Sequence, residues 1–204
     1  VRTHDRVEQL EAAKAGDLLP YFRILESQAG PVVEMEGRET IMLGSNNYLG
    51  LTGDPRVKEA AREALELYGT GVTGSRLLNG TIPLHVELEE ELAAWMGTES
   101  TVVFSTGYQS NVGALQSLLG PEDTVIADTG DHASILDGCK LSGAKLRPFR
   151  HNQTDKLEKM LQRAGGDGGG VLVVVDGVYS MEGDLCDLPR VAELSKHYGA
   201  RLMV

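Results

Sequence analysis

The 204-residue chain is 41% hydrophobic, enough to bury a sizeable core, and its formal net charge of −11 argues against nucleic acid as a partner, because phosphate backbones attract basic surfaces. No stretch approaches the roughly 18 consecutive apolar residues of a membrane span, and the polar N-terminus lacks the apolar core of a secretion signal. The two cysteines, Cys139 and Cys186, form no CxxC or metal-ligand pattern, so we expect a reduced, cytoplasmic protein without a metal site.

The front of the chain predicts an N-terminal arm, residues 1–50, made of a helix and a hairpin. Apolar residues at helical spacing predict the helix over 3–15. Two strand-like runs flank Gly37 and predict the hairpin over 32–43. The remaining residues, 51–204, are expected to form the front part of a larger domain.

Two helices are predicted at the start of that domain, over 55–68 with Asp54 as N-cap and over 83–96. Between them, the motif that begins at Gly69 matches the dinucleotide-binding pattern G-x-G-x-x-G. That pattern requires a strand before it and a helix after it, whereas here a helix precedes it and a loop follows. A flexible or close-packed loop carrying Arg76 is therefore predicted instead.

From residue 101 onward, strands and helices alternate. The strands are near-continuous apolar runs, which indicates a parallel or mostly parallel sheet covered by helices on both faces. The predicted fold class is therefore α/β, a three-layer α/β/α sandwich. Strands are predicted over 101–104, 124–127, 146–149, 171–175 and 201–204, and helices over 108–119, 132–141, 154–163 and 188–198.

The predicted strand over 201–204 is the last element of the chain. A buried parallel strand needs a crossover and a covering helix after it, or its apolar faces stay wet. We therefore expect the C-terminal part of the fold to lie outside these residues, and the 204 residues alone to be inactive.

The stretch TVVFSTGYQSN over 101–111 gives the strongest local signal for a binding site. A predicted strand leads into a small-residue turn ending at Gly107 and then into a helix that begins at Tyr108. This arrangement directs free backbone N–H groups and the positive end of the helix dipole at one point, which suits a phosphate. Taken alone, the stretch is equally compatible with a strand-to-helix turn that binds nothing.

Two further polar segments follow predicted strands, 128–132 and 176–184. Ligands of open α/β sheets bind at the carboxyl ends of the strands. His132 could cap its helix or stack its ring on a planar cofactor. Ser180 is not in a G-x-S-x-G elbow, so a hydrolase nucleophile is not predicted. Gly107, His132 and Ser180 thus mark three strand ends that we expect to converge on one edge of the sheet.

Six segments in order, SNNYLGL, GTGVTGSRLLNGT, FSTGY, DHASILDG, FRHN and GVYSMEGD, resemble the motifs of the α-oxoamine synthases. These enzymes depend on pyridoxal 5′-phosphate (PLP) and condense an amino acid with an acyl-CoA with loss of CO2. The resemblance covers nearly the whole chain beyond about Val32. Within the family, GSRLLNGT, STGY, DGC, FRHN and GVYSM are most similar to bacterial serine palmitoyltransferase, with 8-amino-7-oxononanoate synthase and glycine C-acetyltransferase as alternatives.

The resemblance implies an aminotransferase-like large domain of PLP fold type I, truncated before the lysine that binds the cofactor. It implies PLP as cofactor, serine, glycine or alanine with an acyl-CoA as substrates, and a homodimer. Gly107 and Tyr108 match the residues whose backbone N–H groups hold the cofactor phosphate. His132 matches the histidine that stacks on the pyridine ring and orients the substrate, and Ser180 matches the serine near the phenolic oxygen of the ring.

The resemblance also places Asn46 and Asn47 in a loop near the substrate carboxylate, without deciding which of the two makes the contact. The aspartate that pairs with the pyridine nitrogen and the lysine that binds the cofactor follow later in the family pattern, so no lysine of this chain is nominated. Three alternatives stay open: a plain aminotransferase or lyase, a non-catalytic partner subunit of the same fold, and a nucleotide-binding module.

Overall fold

A computed structural model of the chain describes residues 2–16, 18, 22–166 and 168–204, and the side chains from residue 6 onward within those ranges. The chain divides into two compact units, Val1–Thr81 and Ile82–Val204. The predicted boundary of the arm at residue 50 falls inside the first unit and stays a prediction. Among the described helices, none has both the length and the apolar character needed to cross a lipid bilayer.

The first unit contains the elements predicted for it. They are α1 (Arg2–Ala15), β1 (Val32–Met35), β2 (Arg38–Ile41) and α2 (Pro55–Tyr68). β1 and β2 pair antiparallel, and the two residues between them, Glu36 and Gly37, have φ angles of 52° and 71°. A two-residue turn of this hand requires positive φ at both positions, which explains the glycine. Asp54 caps α2 as predicted, since its Oδ1 accepts from the N–H of Arg56 at 2.8 Å.

The second unit is built around a four-stranded parallel sheet of order β4-β3-β5-β6. The order of the strands brings the carboxyl end of β3 between those of β4 and β5. The elements are α3 (Pro83–Met96), α4 (Gly107–Leu118), β3 (Thr124–Asp128), α5 (Ala133–Ser142), β4 (Lys145–Phe149), α6 (Thr154–Ala164), β5 (Val171–Val174), α7 (Leu188–His197) and β6 (Arg201–Met203).

Helices cover both faces of this sheet. All five residues of β3 are buried, and consecutive side chains point to opposite faces, Val125 to one and Ile126 to the other. The three-layer α/β/α fold is therefore confirmed. One face packs against α4 and α5 through Leu115, Val125, Ile135 and Val174, and the other packs against α6 and α7 through Ile126, Leu157, Val173 and Val191.

A glycine allows α4 and α5 to pack closely. A Cβ atom built at Gly138 would lie 2.8 Å from Leu115 Cδ1 and 3.2 Å from the carbonyl oxygen of Asn111. Both atoms belong to α4, so a larger residue at 138 would push the two helices apart.

The predicted strand over 101–104 is wrong. These residues belong to no strand of the described sheets, and the N–H of Val103 donates instead to Glu89 Oε1 on α3, at 2.9 Å. Val102 is 70% exposed and Phe104 is 42% exposed. An apolar, β-branched composition favours a strand, but a strand also needs a neighbouring strand with which to pair. The other predicted elements are confirmed to within about two residues at each end.

Candidate active site

The N-terminus of α4 forms the first part of the site. Thr106 is the N-cap, and its Oγ1 accepts from the N–H of Gln109 at 3.1 Å. Gly107 and Tyr108 occupy the first two helical positions, whose N–H groups have no acceptor inside an α-helix. A Cβ atom built at Gly107 would meet no described atom within 4 Å, so the space beside this residue is open. This end of α4 can therefore bind an anion such as phosphate.

The side chain of Tyr108 turns toward the neighbouring helix. Its hydroxyl donates to Asp137 Oδ2 on α5 at 3.1 Å, and this hydrogen bond raises the pKa of Tyr108. The hydroxyl of Tyr108 is therefore engaged within the protein, and the predicted contact of its backbone N–H with a phosphate stays a prediction.

His132 is the N-cap of α5, and its ring is held in one orientation. Nδ1 accepts from the N–H of Ser134 at 3.2 Å and lies 2.7 Å from Ser134 Oγ, which in turn accepts from Asn111 Nδ2 at 2.9 Å. Because Nδ1 accepts from a backbone N–H, the ring proton belongs on Nε2. The exposed His132 ring thus presents an N–H donor, and the contact between Asn111 and Ser134 brings the N-terminal halves of α4 and α5 together.

Two carboxylates tie the loop that carries His132 to the loop that follows β5. Asp131 accepts from the N–H of Asp128 and from the N–H of Asp176, both at 2.9 Å. In return, the N–H of His132 donates to Asp176 Oδ2 at 2.7 Å. Burial raises the pKa of Asp131 to about 7, with the nearby charges of Asp128 and Asp176 adding to the effect.

Asp128, the last residue of β3, is fully buried and accepts four hydrogen bonds. The donors are the N–H of Gly130 at 2.7 Å, His151 Nδ1 at 2.9 Å, the N–H of Asn152 at 2.8 Å and the Tyr179 hydroxyl at 3.0 Å. They come from the segments that follow β3, β4 and β5. This side chain therefore holds three strand ends together.

Ser180 is exposed on a tight turn after β5. Val178 and Leu185 form an isolated antiparallel bridge, and Gly183, with a φ of 73°, donates its N–H to the carbonyl of Tyr179 at 2.8 Å. We call residues 178–185 the Ser180 turn.

Asn46 and Asn47 belong to the first unit. Asn46 Oδ1 accepts from the hydroxyl of Tyr48, and Asn47 Oδ1 accepts from the N–H of Thr52, both at 3.4 Å. Their closeness to the other site residues stays a prediction, whereas Gly107, Tyr108, His132 and Ser180 all lie in the second unit.

The buried polar network was not predicted residue by residue. The segments DTGD, FRHN and DGVYSMEGD were recognised as motifs, but Asp128, Asp131, His151 and Asp184 received no individual role. The signal available in the sequence was that charged and polar residues directly follow three successive strands.

The chain is similar to known proteins over most of its length. Residues 38–204 match the family model of aminotransferase class I and II. Serine palmitoyltransferase of Bacteriovorax stolpii is 46% identical over 198 residues, 97% of this chain and 47% of that protein. 8-Amino-7-oxononanoate synthase of Geobacter sulfurreducens is 46% identical over 196 residues, 96% of this chain and 50% of that protein.

A solved structure of serine palmitoyltransferase from S. paucimobilis with a bound PLP–myriocin aldimine is similar to the chain with a TM-score of 0.91 and 39% identity, over 97% of this chain and 50% of that one. The chain thus spans about half the length of the relatives it matches. The chain belongs to the aminotransferase class I and II family, and the resemblance of its motifs to the α-oxoamine synthases is confirmed.

Proposed function

We propose that the protein containing this chain is a PLP-dependent α-oxoamine synthase that condenses serine with an acyl-CoA with loss of CO2. One observation carries the proposal: the open N-terminal amides of α4 occur in the same unit as a histidine ring whose orientation is fixed from α4 and α5. The serine palmitoyltransferase relatives supply the substrate class.

The residues present fit a phosphorylated planar cofactor. The chain carries a net charge of −11, so its overall field repels a phosphate, and local donors have to hold it. The N–H groups of Gly107 and Tyr108 are such donors, and the lack of a side chain at 107 leaves room for the phosphate oxygens. The flat, exposed ring of His132 suits stacking on a pyridine.

When bound, PLP supplies an electron sink for negative charge at the substrate Cα. The residues of this chain provide position and orientation. His132 would fix the plane of the cofactor ring, and its Nε2–H would donate to the amino acid substrate. The Ser180 hydroxyl would donate to the phenolic oxygen, and Asn46 or Asn47 would bind the substrate carboxylate.

Uptake of PLP by the full-length protein tests the cofactor assignment. We expect visible absorbance from bound cofactor, which borohydride fixes covalently to the protein. Gly107→Ala should weaken uptake, because it adds a methyl group beside the backbone N–H that would hold the phosphate. Gly166→Ala, on a loop where a new Cβ would come no closer than 3.9 Å to another residue, is the matched control. A full-length protein that stays colourless at saturating PLP refutes the assignment.

A second candidate is an 8-amino-7-oxononanoate synthase, because the chain is also 46% identical to a relative of that name. CO2 release from serine, glycine and alanine, each paired with acyl-CoAs of several chain lengths, separates the two. Preference for serine with long acyl chains supports the first candidate. Cofactor binding without CO2 release from any pair points to a non-catalytic partner subunit.

We also propose a cytoplasmic homodimer. The two cysteines of the chain are free thiols, which suits a reducing compartment. Large apolar side chains of the first unit are exposed, which suits burial against another chain. Examples are Leu43, Tyr48, Leu77 and Leu78. Sedimentation of the full-length protein measures its oligomeric state, and a monomer at micromolar concentration contradicts the proposal.

A further inference from the structure

The Ser180 turn is linked to the strand ends through its own polar side chains. The hydroxyl of Tyr179 donates to the buried Asp128, as described above. Asn152, which follows β4, donates from Nδ2 to Asp184 Oδ2 and to the carbonyl of Leu185, both at 2.9 Å. The turn is therefore anchored at both of its ends, by Asp128 at the end of β3 and by Asn152 after β4.

His151 lies between these two anchors. Its Nδ1 is 2.9 Å from Asp128 Oδ1, and its Nε2 is 3.2 Å from Asp184 Oδ2. The ring also meets the Tyr179 ring edge-on, with centroids 4.4 Å apart and an interplanar angle of 88°. Both ring nitrogens thus face carboxylate oxygens, which accept when ionised, so a proton on each nitrogen satisfies both contacts.

The surroundings hold the ring in this place. A Cβ atom built at Gly130 would lie 2.5 Å from His151 Nδ1, so only glycine lets the ring approach β3. The N–H of His151 donates to Thr129 Oγ1 at 3.0 Å. His151 is therefore held in place by three features: the hydrogen bond of its backbone N–H, the absence of a side chain at Gly130, and the carboxylates that face its two ring nitrogens.

We propose that His151 is a positioning residue for the Ser180 turn: as an imidazolium it joins the buried Asp128 to Asp184 and thereby holds Ser180 at the cofactor edge. The role of Ser180 in this statement rests on the proposed function. The link between His151 and the turn does not, because it consists of contacts within the chain itself.

The arrangement makes the position of the turn depend on pH. The hydrogen bond to Asp128, followed by the bond to Asp184, raises the pKa of His151 above its ordinary value near 6.5. The titratable groups that face the ring are Asp128 from β3 and Tyr179 and Asp184 from the turn; Asn152 and Thr129 are the uncharged polar neighbours. The imidazolium link is complete below about pH 6.5 and is lost as pH rises through the raised pKa.

Amide hydrogen exchange in the full-length protein tests the link directly. The N–H groups of Tyr179, Gly183 and Cys186 donate to carbonyls within or beside the turn and report its closure. We expect their exchange to accelerate about tenfold or more in His151→Gln, because a charge-assisted bridge is lost. In the wild type the same amides should lose protection as pH rises above 6.5, and His151→Gln should abolish this pH dependence.

His197→Gln is the matched control. His197 is exposed at the end of α7 and also meets a tyrosine ring edge-on, that of Tyr198, at 4.7 Å. It should leave exchange in the turn unchanged. If His151→Gln does not fold, Asp184→Asn serves instead, because that side chain is 45% exposed and the change removes only the charge of the outer acceptor. Asp184→Asn should also speed exchange, by a smaller factor.

Cofactor binding separates this inference from the proposed function. In His151→Gln the apparent Kd for PLP should rise while the helix of Gly107 keeps its exchange protection. A wild type that binds no PLP refutes the proposed function and leaves the exchange result standing. Unchanged exchange in the turn, with its pH dependence intact in His151→Gln, overturns the role of His151.

Discussion

His132 and His151 follow neighbouring strands of one sheet, yet their surroundings are opposite in kind. His132 has a backbone N–H and a serine hydroxyl at Nδ1, and its ring is exposed with a donor free to reach a ligand. His151 has a carboxylate at each nitrogen, and its ring faces the protein. The comparison teaches that the partners of an imidazole, and not its place after a strand, decide whether the ring keeps a donor for a ligand. After their proposed roles, we name two regions: the binding region is Gly107, Tyr108, Asn111, His132 and Ser134, and the bracing region is Asp128, His151, Asn152, Tyr179 and Asp184.

Asp128→Ala should have the largest effect on stability, because it removes the carboxylate at the centre of the bracing region. The change leaves four donors, including the His151 imidazolium, facing a buried hole, and we expect a loss of about 3–5 kcal/mol in the free energy of unfolding. Denaturant unfolding of the full-length protein measures it. Asp155→Ala, at an exposed aspartate of α6, should change stability little. Equal losses of stability in the two variants would show that the hydrogen bonds to Asp128 do not stabilise the fold.

The pH dependence of stability comes second. Folding raises the pKa of Asp131 from its ordinary value near 3.8 to about 7, so its contribution to stability falls as pH rises between these values, by up to roughly 4 kcal/mol. The contribution of His151 falls only above about 6.5.

Asp131→Asn should therefore remove the loss of stability between pH 4 and 7 and keep the loss above it. His151→Gln should do the reverse. Unfolding curves measured across this pH range provide the test. If both variants remove the same part of the pH dependence of stability, Asp131 and His151 titrate as one coupled unit. The assignment of a separate pH range to each residue is then wrong.

Gly138→Ala should rank third, and it affects the binding region. The new methyl group overlaps Leu115 and separates α4 from α5, which should cost about 1–3 kcal/mol. It should also loosen the contact between Asn111 and Ser134. Thermal unfolding measures the first effect, with Gly166→Ala as the control. A fully tolerated alanine would mean that the two helices adapt without disturbing His132.

Ser134→Ala should have the smallest effect on stability, about 1–2 kcal/mol, because it leaves Asn111 Nδ2 without its acceptor. Its sharper readout is the 15N chemical shifts of the His132 ring, which report where the proton resides. We expect the share of the Nε2–H form to fall in the variant, because Nδ1 keeps the backbone N–H of residue 134 but loses the hydroxyl beside it. Ser117→Ala, on the exposed side of α4, should leave the spectrum unchanged. An unchanged ring spectrum in Ser134→Ala would mean that the backbone N–H alone sets the tautomer.

The binding region could largely be predicted from the sequence because its parts are local. A small-residue turn before a helix fixes the place of Gly107 and Tyr108, and a strand followed by a helix fixes that of His132. The roles assigned to these residues and to Ser180, Asn46 and Asn47 stay predictions.

The bracing region could not be predicted, because it joins segments that only the strand order brings together. Asp128 and His151 lie 23 residues apart, and His151 and Asp184 lie 33 residues apart. Their contacts depend on β3 lying between β4 and β5. Alternating strands and helices predict a parallel sheet but do not state the order of its strands. The error over 101–104 has the same origin, since apolar composition does not identify a pairing partner.

The reciprocal bonds between Asp131, His132 and Asp176 couple the motions of two loops. Because each loop both donates to the other and accepts from it, neither can drift without stretching a bond in each direction. The loops after β3 and β5 should therefore move together and have similar order parameters. A displacement of the loop that carries Ser180 should then be accompanied by a displacement of the His132 backbone.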